Sequence, residues 1–164
     1  MKKQKGFSLI ELLIVVAIIL IIAAIAIPNL IRSKMAANEA SAVASLRTIN
    51  TGEVTYNNTY PGAFANLGSL GPGSTAVCGT PSSSAACLID LLLSKATSST
   101  VGKSGYYFII GGGLVTTYTS EAEPMTQGST GTRGFCSDQN LVLYYVAVGT
   151  GSGACVVANS PTAL

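Results

Sequence analysis

Few side chains in this sequence are equipped for chemistry, and the one that stands out is a lone carboxylate in a hydrocarbon-like setting. Glu11 follows Phe7-Ser8-Leu9-Ile10 and precedes sixteen consecutive residues, Leu12 to Ile27, that are all Leu, Ile, Val or Ala. An ionised Glu near the edge of a bilayer costs about 1–3 kcal/mol, so a charge here asks for a partner. No basic residue lies within reach on its own helix after Phe7. If the chain is cut before Phe7, the new α-amino group supplies the missing cation. A helix does not readily fold its own terminus back one turn, so the amine of a neighbouring copy is the better partner.

The remaining candidates are weaker. There is no His, which removes the commonest general base and the commonest metal ligand. Cys78, Cys87, Cys136 and Cys155 show no Cys-x-x-Cys spacing, which argues against zinc. In a chain whose bulk leaves the cytoplasm, four cysteines read as two disulfides with three connectivities open. The pairs Cys78–Cys87 and Cys136–Cys155 are preferred because each closes a local loop. Glu121, Glu123 and Asp138 are too few for Ca²⁺, which takes six to eight oxygens, and read as solvated loop residues. Gly149-Thr150-Gly151-Ser152-Gly153 precedes no helical pattern, so it reads as a turn rather than a phosphate loop. No catalytic residue, metal or cofactor is expected, and the chain is not read as an enzyme.

The elements that position these residues follow from pattern. The 164 residues are 48% hydrophobic and only 10% charged, which excludes a disordered tail. A formal charge of +2 is too weak a field to suggest nucleic-acid binding. Phe7 to Ile27 makes about 31 Å of helix, enough to cross a bilayer core of about 30 Å. Lys2, Lys3 and Lys5 precede the span and hold that end in the cytoplasm. No A-x-A site ends the run cleanly, which disfavours a signal peptide. Pro28 kinks or loosens the helix. Beyond it, Met35, Ala42, Ile49 and Tyr56 recur every seven residues, with Val43 and Leu46 beside them. Arg32, Lys34, Glu39, Arg47 and Glu53 fall mostly elsewhere, so an amphipathic helix is expected until Tyr60-Pro61-Gly62 stops it.

Gly62 to Gly105 is rich in Gly, Ser, Thr and Ala, with a short helix expected over Ala86–Lys95. Strands are expected at Tyr106–Ile110, Leu114–Thr119 and Leu141–Val148, with a short addition at Arg133–Ser137. Short connections favour an antiparallel meander, one face of which covers the stripe of the long helix. The expected class is α+β: a long N-terminal helix packed on a small antiparallel sheet.

Lys5-Gly6-Phe7-Ser8-Leu9-Ile10-Glu11 and the apolar run through Ile19, with Pro28 beyond, resemble the class III leader and N-terminal helix of type IV pilins and type II secretion pseudopilins. Many members carry Gly where Leu20 stands here. The resemblance covers roughly residues 1–60; the head matches only in architecture. It implies cleavage between Gly6 and Phe7 by a prepilin peptidase, which also N-methylates the Phe7 amine. Loss of Lys2, Lys3 and Lys5 leaves six basic against seven acidic residues, a formal −1. A disulfide closing the C-terminal loop through Cys136 and Cys155 fits the family pattern.

The expected organisation is a leader at 1–6, a transmembrane and filament-core segment at 7–31, an amphipathic segment at 32–60 and a head at 61–164. The expected function is a structural subunit of a homo-oligomeric helical filament, with Phe7, Glu11 and Pro28 serving assembly. Before assembly it would sit in the inner membrane with its head in the periplasm. An assembly platform and ATPase, supplied by other chains, would lift it into a pilus on the cell surface. A periplasmic pseudopilus is the alternative, because the same N-terminal chemistry serves both. A single-span protein with a periplasmic binding domain ranks third. Ligand contacts of a fibre would fall on Ser69–Thr80 and Pro124–Thr132.

Overall fold

A computed structural model describes residues 7–73, 77–111, 115–147 and 162–164. The chain divides into two compact units, Met1–Lys34 and Met35–Leu164. Helix α1 spans Leu9–Thr59 and contributes to both.

In the first unit α1 passes through Pro28 instead of ending at Ile27. The proline removes one backbone donor, but its Leu, Ile and Ala neighbours keep the other helical bonds. Every large apolar side chain from Phe7 to Ile31 is exposed, between 47% and 81%. This segment is the one described helix long and apolar enough to cross a membrane.

In the second unit, Ala42, Leu46, Ile49 and Tyr56 of α1 are buried, as the heptad stripe requires, with Val43 packed beside them. Two charges expected off that stripe lie on it. Glu39 and Glu53 are buried, 6% and 0% exposed, because the 39-46-53 spacing repeats every seven residues. Opposite them lies a five-stranded antiparallel meander in sequential order. Its strands are β1 (Tyr106–Gly111), β2 (Thr119–Pro124), β3 (Arg133–Asp138), β4 (Leu143–Ala147) and β5 (Thr162–Ala163). Register places Phe108, Ala122, Phe135 and Tyr145 in one row across the sheet. Ala122 lies between two phenylalanines, so large and small side chains alternate beneath the helix. Phe108, Ala122 and Phe135 join Leu67, Leu70, Ile89 and Leu93 in a single core.

Three expected boundaries move. The second strand is Thr119–Pro124, not Leu114–Thr119. Its sequence, TSEAEP, lacks an apolar alternation because its helix-facing positions are the small Ser120 and Ala122. The helix expected over Ala86–Lys95 shrinks to α3, Leu91–Lys95, because Cys87 adopts a left-handed φ of 58° that no helix tolerates. The four-residue α2, Leu67–Leu70, was not expected; Asn66 caps it by accepting the Ser69 N–H at 2.9 Å. β4 begins at Leu143, after a turn in which Asn140 donates to Asp138 and Leu141 takes a φ of 64°.

One glycine is fixed by close approach. A Cβ on Gly131 would lie 1.9 Å from the Tyr106 hydroxyl, which instead donates to the Arg133 carbonyl at 2.8 Å.

Candidate functional site

The site begins where α1 does. Ser8-Leu9-Ile10-Glu11 has the spacing of a capping box, in which the third helical residue reaches back to the cap. The Glu11 carboxylate accepts the Ser8 N–H at 2.9 Å, and the first helical bond runs from Leu12 N–H to the Ser8 carbonyl at 3.3 Å. In the single chain Glu11 is therefore a helix-capping group as well as an exposed acid. The S-x-x-E signature was readable in the sequence, but attention to the charge alone overlooks it. Phe7 lies next to it, 81% exposed, while Gly6 falls outside the described residues. Pro28 is an exposed helical residue of the same unit.

The segment's contribution is a surface. It presents an apolar surface seven helical turns long, open on all sides, with one carboxylate at its start. Such a surface is stable only in lipid or against other apolar surfaces.

Within the head, polar side chains join α1 to the sheet. Arg133 on β3 binds Glu39 on α1 through Nε at 2.9 Å and Nη2 at 2.7 Å. Thr132 adds its N–H and hydroxyl, both at 2.9 Å, to the other carboxylate oxygen. Burial alone would raise the Glu39 pKa, but the hydrogen bonds from Thr132 and Arg133 outweigh it and hold the carboxyl below its ordinary value. The guanidinium also stacks over Phe135 and Tyr145 at 5.6 and 5.5 Å. About three turns nearer the end of α1, Asn50 donates to Ser137 at 2.8 Å and accepts from Ser120 and Tyr118 at 3.1 and 3.2 Å. These contacts tie the helix to β2, β3 and the residue before β2.

Cys78 and Cys87 form a disulfide, as expected. The Tyr56 hydroxyl donates to the Ser83 carbonyl inside that loop at 2.8 Å, anchoring it to α1. Cys136 is also disulfide-bonded; its expected partner Cys155, and the Gly149–Gly153 loop, lie outside the described residues. Glu121 and Glu123 are strand residues rather than loop residues. Glu121 stands opposite Cys136, Glu123 accepts the Tyr107 hydroxyl, and Asp138 accepts from Asn140. Among the described residues no His, Cys, Asp and Glu cluster could hold a metal ion. Of the expected ligand loops, Val77–Thr80 and Thr126–Ser129 are exposed, whereas Leu70–Pro72 and Gly131 are buried.

Residues 1–27 match the family model of the prokaryotic N-terminal methylation motif. Two type IV pilus proteins are similar to parts of the chain. The chain is 46% identical over 78 residues to the type IV wide pilus major component PilA4 of Thermus thermophilus, covering 46% of this chain and 60% of that protein. It is 44% identical over 54 residues to the type IV major pilin protein PilA of Myxococcus xanthus, covering 33% of this chain and 24% of that one. The chain thus spans less than two thirds of the length of either relative. One relative is named a major component of a type IV wide pilus and the other a type IV major pilin protein. No solved structure gives a significant match.

Proposed function

We propose that this chain is a non-enzymatic structural subunit that polymerises into a type IV pilus through residues 7–31. The observation that carries this reading is the exposed apolar surface from Phe7 to Ile31, which begins at a methylation motif and bears Glu11 as its only charge. Cleavage between Gly6 and Phe7 creates the amine, and methylation of Phe7 follows. Before assembly the segment rests in the inner membrane, with residues 61–164 as a periplasmic head. An assembly ATPase and platform move it from lipid into the filament, where neighbouring helices replace lipid and water never meets the apolar face. Glu11 of one subunit pairs with the Phe7 amine of the next. A misregistered subunit leaves a buried charge uncompensated, so the pair sets axial register. Pro28 supplies the missing backbone donor at which the helix loosens between packed neighbours.

The test is mass spectrometry of the N-terminus on fibres sheared from cells. A methylated Phe7 terminus in surface fibres is expected. A retained Lys2-Lys3 beginning contradicts processing, and a processed chain absent from surface fibres contradicts the pilus. The relatives' names favour the pilus over a periplasmic pseudopilus.

A further inference from the structure

The most unusual group in the head is Glu53. Its side chain is fully buried, with one carboxylate oxygen accepting the Ala65 N–H at 2.9 Å and the other without a hydrogen-bond partner among the described residues. No lysine or arginine among the described residues pairs with it. A buried carboxylate without a cation is strongly destabilised when ionised, whereas the neutral acid carries only the smaller cost of an unpaired polar group.

The position of this acid gives its protonation state a mechanical consequence. It lies at the junction between α1 and the segment that leads away from it, and three contacts hold that segment. The Asn57 amide donates to the Ala63 carbonyl at 3.3 Å. The Phe64 ring packs on the Tyr118 ring at a centroid distance of 4.7 Å. Glu53 takes the Ala65 N–H, and the following residue, Asn66, caps α2. Release of the Ala65 contact would thus loosen the connection between α1 and α2.

We propose that Glu53 is a proton-dependent latch: protonated, it closes residues 63–65 onto α1, and on ionisation it must reach water by letting that segment open. Tyr118 faces it from the sheet side and is itself buried, so it brings no charge near neutral pH, while residues 63–65 bring no titratable side chain. Asp138 acts on Tyr118 and is not among the groups that shift Glu53. Burial pushes the Glu53 carboxyl up to about 7, against 4.5 when exposed, although the Ala65 hydrogen bond works in the opposite direction. The latch therefore responds in the range through which the surroundings of an exposed head can vary. It does not depend on the pilus assignment, because every group involved lies in the second unit.

The experiment is amide hydrogen exchange at Ala65 in the full chain in detergent, between pH 5 and 7.5, corrected for intrinsic base catalysis. Protection should fall about tenfold or more across that range, given carboxyl pKa values near 4.5 open and 7 closed. Glu53→Gln keeps an amide oxygen for Ala65 and cannot ionise, so its protection should not vary with pH. The Glu53 side-chain carboxyl resonance, followed in the unmodified chain, should titrate with a midpoint between 6 and 8 and needs no variant to fold. Flat Ala65 protection in the unmodified chain, or a carboxyl midpoint below 5, overturns the latch.

Discussion

Between Phe7 and Ile31 every large apolar side chain is open to its surroundings, whereas between Glu39 and Tyr56 two carboxylates are buried in the core. Both stretches are helical, so secondary structure does not separate them. What separates them is where their partners come from. Leu46 meets the core of its own chain, Glu39 meets Arg133, and Asn50 meets Ser120 and Ser137. Leu13, Ile19 and Ile25 stay mostly exposed in their own unit. Hydrophobicity in the first stretch is an unmet demand on other molecules; in the second, the charge of Glu39 is met within the chain by Arg133, whereas Glu53 has no cation beside it among the described residues.

The largest test of that contrast uses the same chemistry in both places. Leu46→Ala should destabilise the head by about 3–4 kcal/mol, read by denaturant unfolding in detergent. Leu13→Ala should leave the head within about 0.5 kcal/mol of the parent, since no core is touched. Comparable losses from the two changes would break the distinction.

Arg133→Ala comes next, at about 2–3 kcal/mol, because it strands the buried Glu39, the loss being moderated by the half-exposure of the arginine it removes. The same variant should flatten the acid limb of stability. Glu39 is held below 4.5 in the folded chain, so its contribution is complete above that value and lost as pH falls through the lowered one. Glu53 acts in reverse: its contribution is complete below about 4.5 and disappears as pH rises to about 7. Melting temperature against pH should therefore fall at both ends, with Arg133→Ala altering the acid side and Glu53→Gln the neutral side.

A smaller loss, about 2 kcal/mol, is expected from replacing Cys78 and Cys87 by serine, because the closed loop is short. Tyr56 still anchors the loop, so the head should stay folded, with loss of protection confined near Ser83. Global unfolding would show that the staple supports the whole core.

The contrast also explains what the sequence could reveal. The apolar run, the motif around Gly6 and Phe7 and the Ala42-Ile49-Tyr56 stripe are local, so periodicity finds them. Glu39 and Glu53 were misread because their partners lie 93 or 94 and 12 residues away, and a solvated charge looks the same in one dimension. β2 escaped because a strand whose inward positions are Ser120 and Ala122 carries no apolar signal. Cys87 carries no mark of its left-handed backbone, so the Leu-rich run after it suggested a longer helix than α3. The Ser8–Glu11 cap was legible but hidden behind a more conspicuous reading of the same acid.

If residues 7–31 pack against other copies of the chain, with Glu11 governing their register, the most direct measurement is fibre yield from cells carrying Glu11→Ala. Fibres are counted by electron microscopy beside mass spectrometry of the chain's N-terminus. A processed N-terminus beginning at Phe7 and no filaments are expected. Abundant filaments of normal appearance from the alanine variant would contradict that role for Glu11.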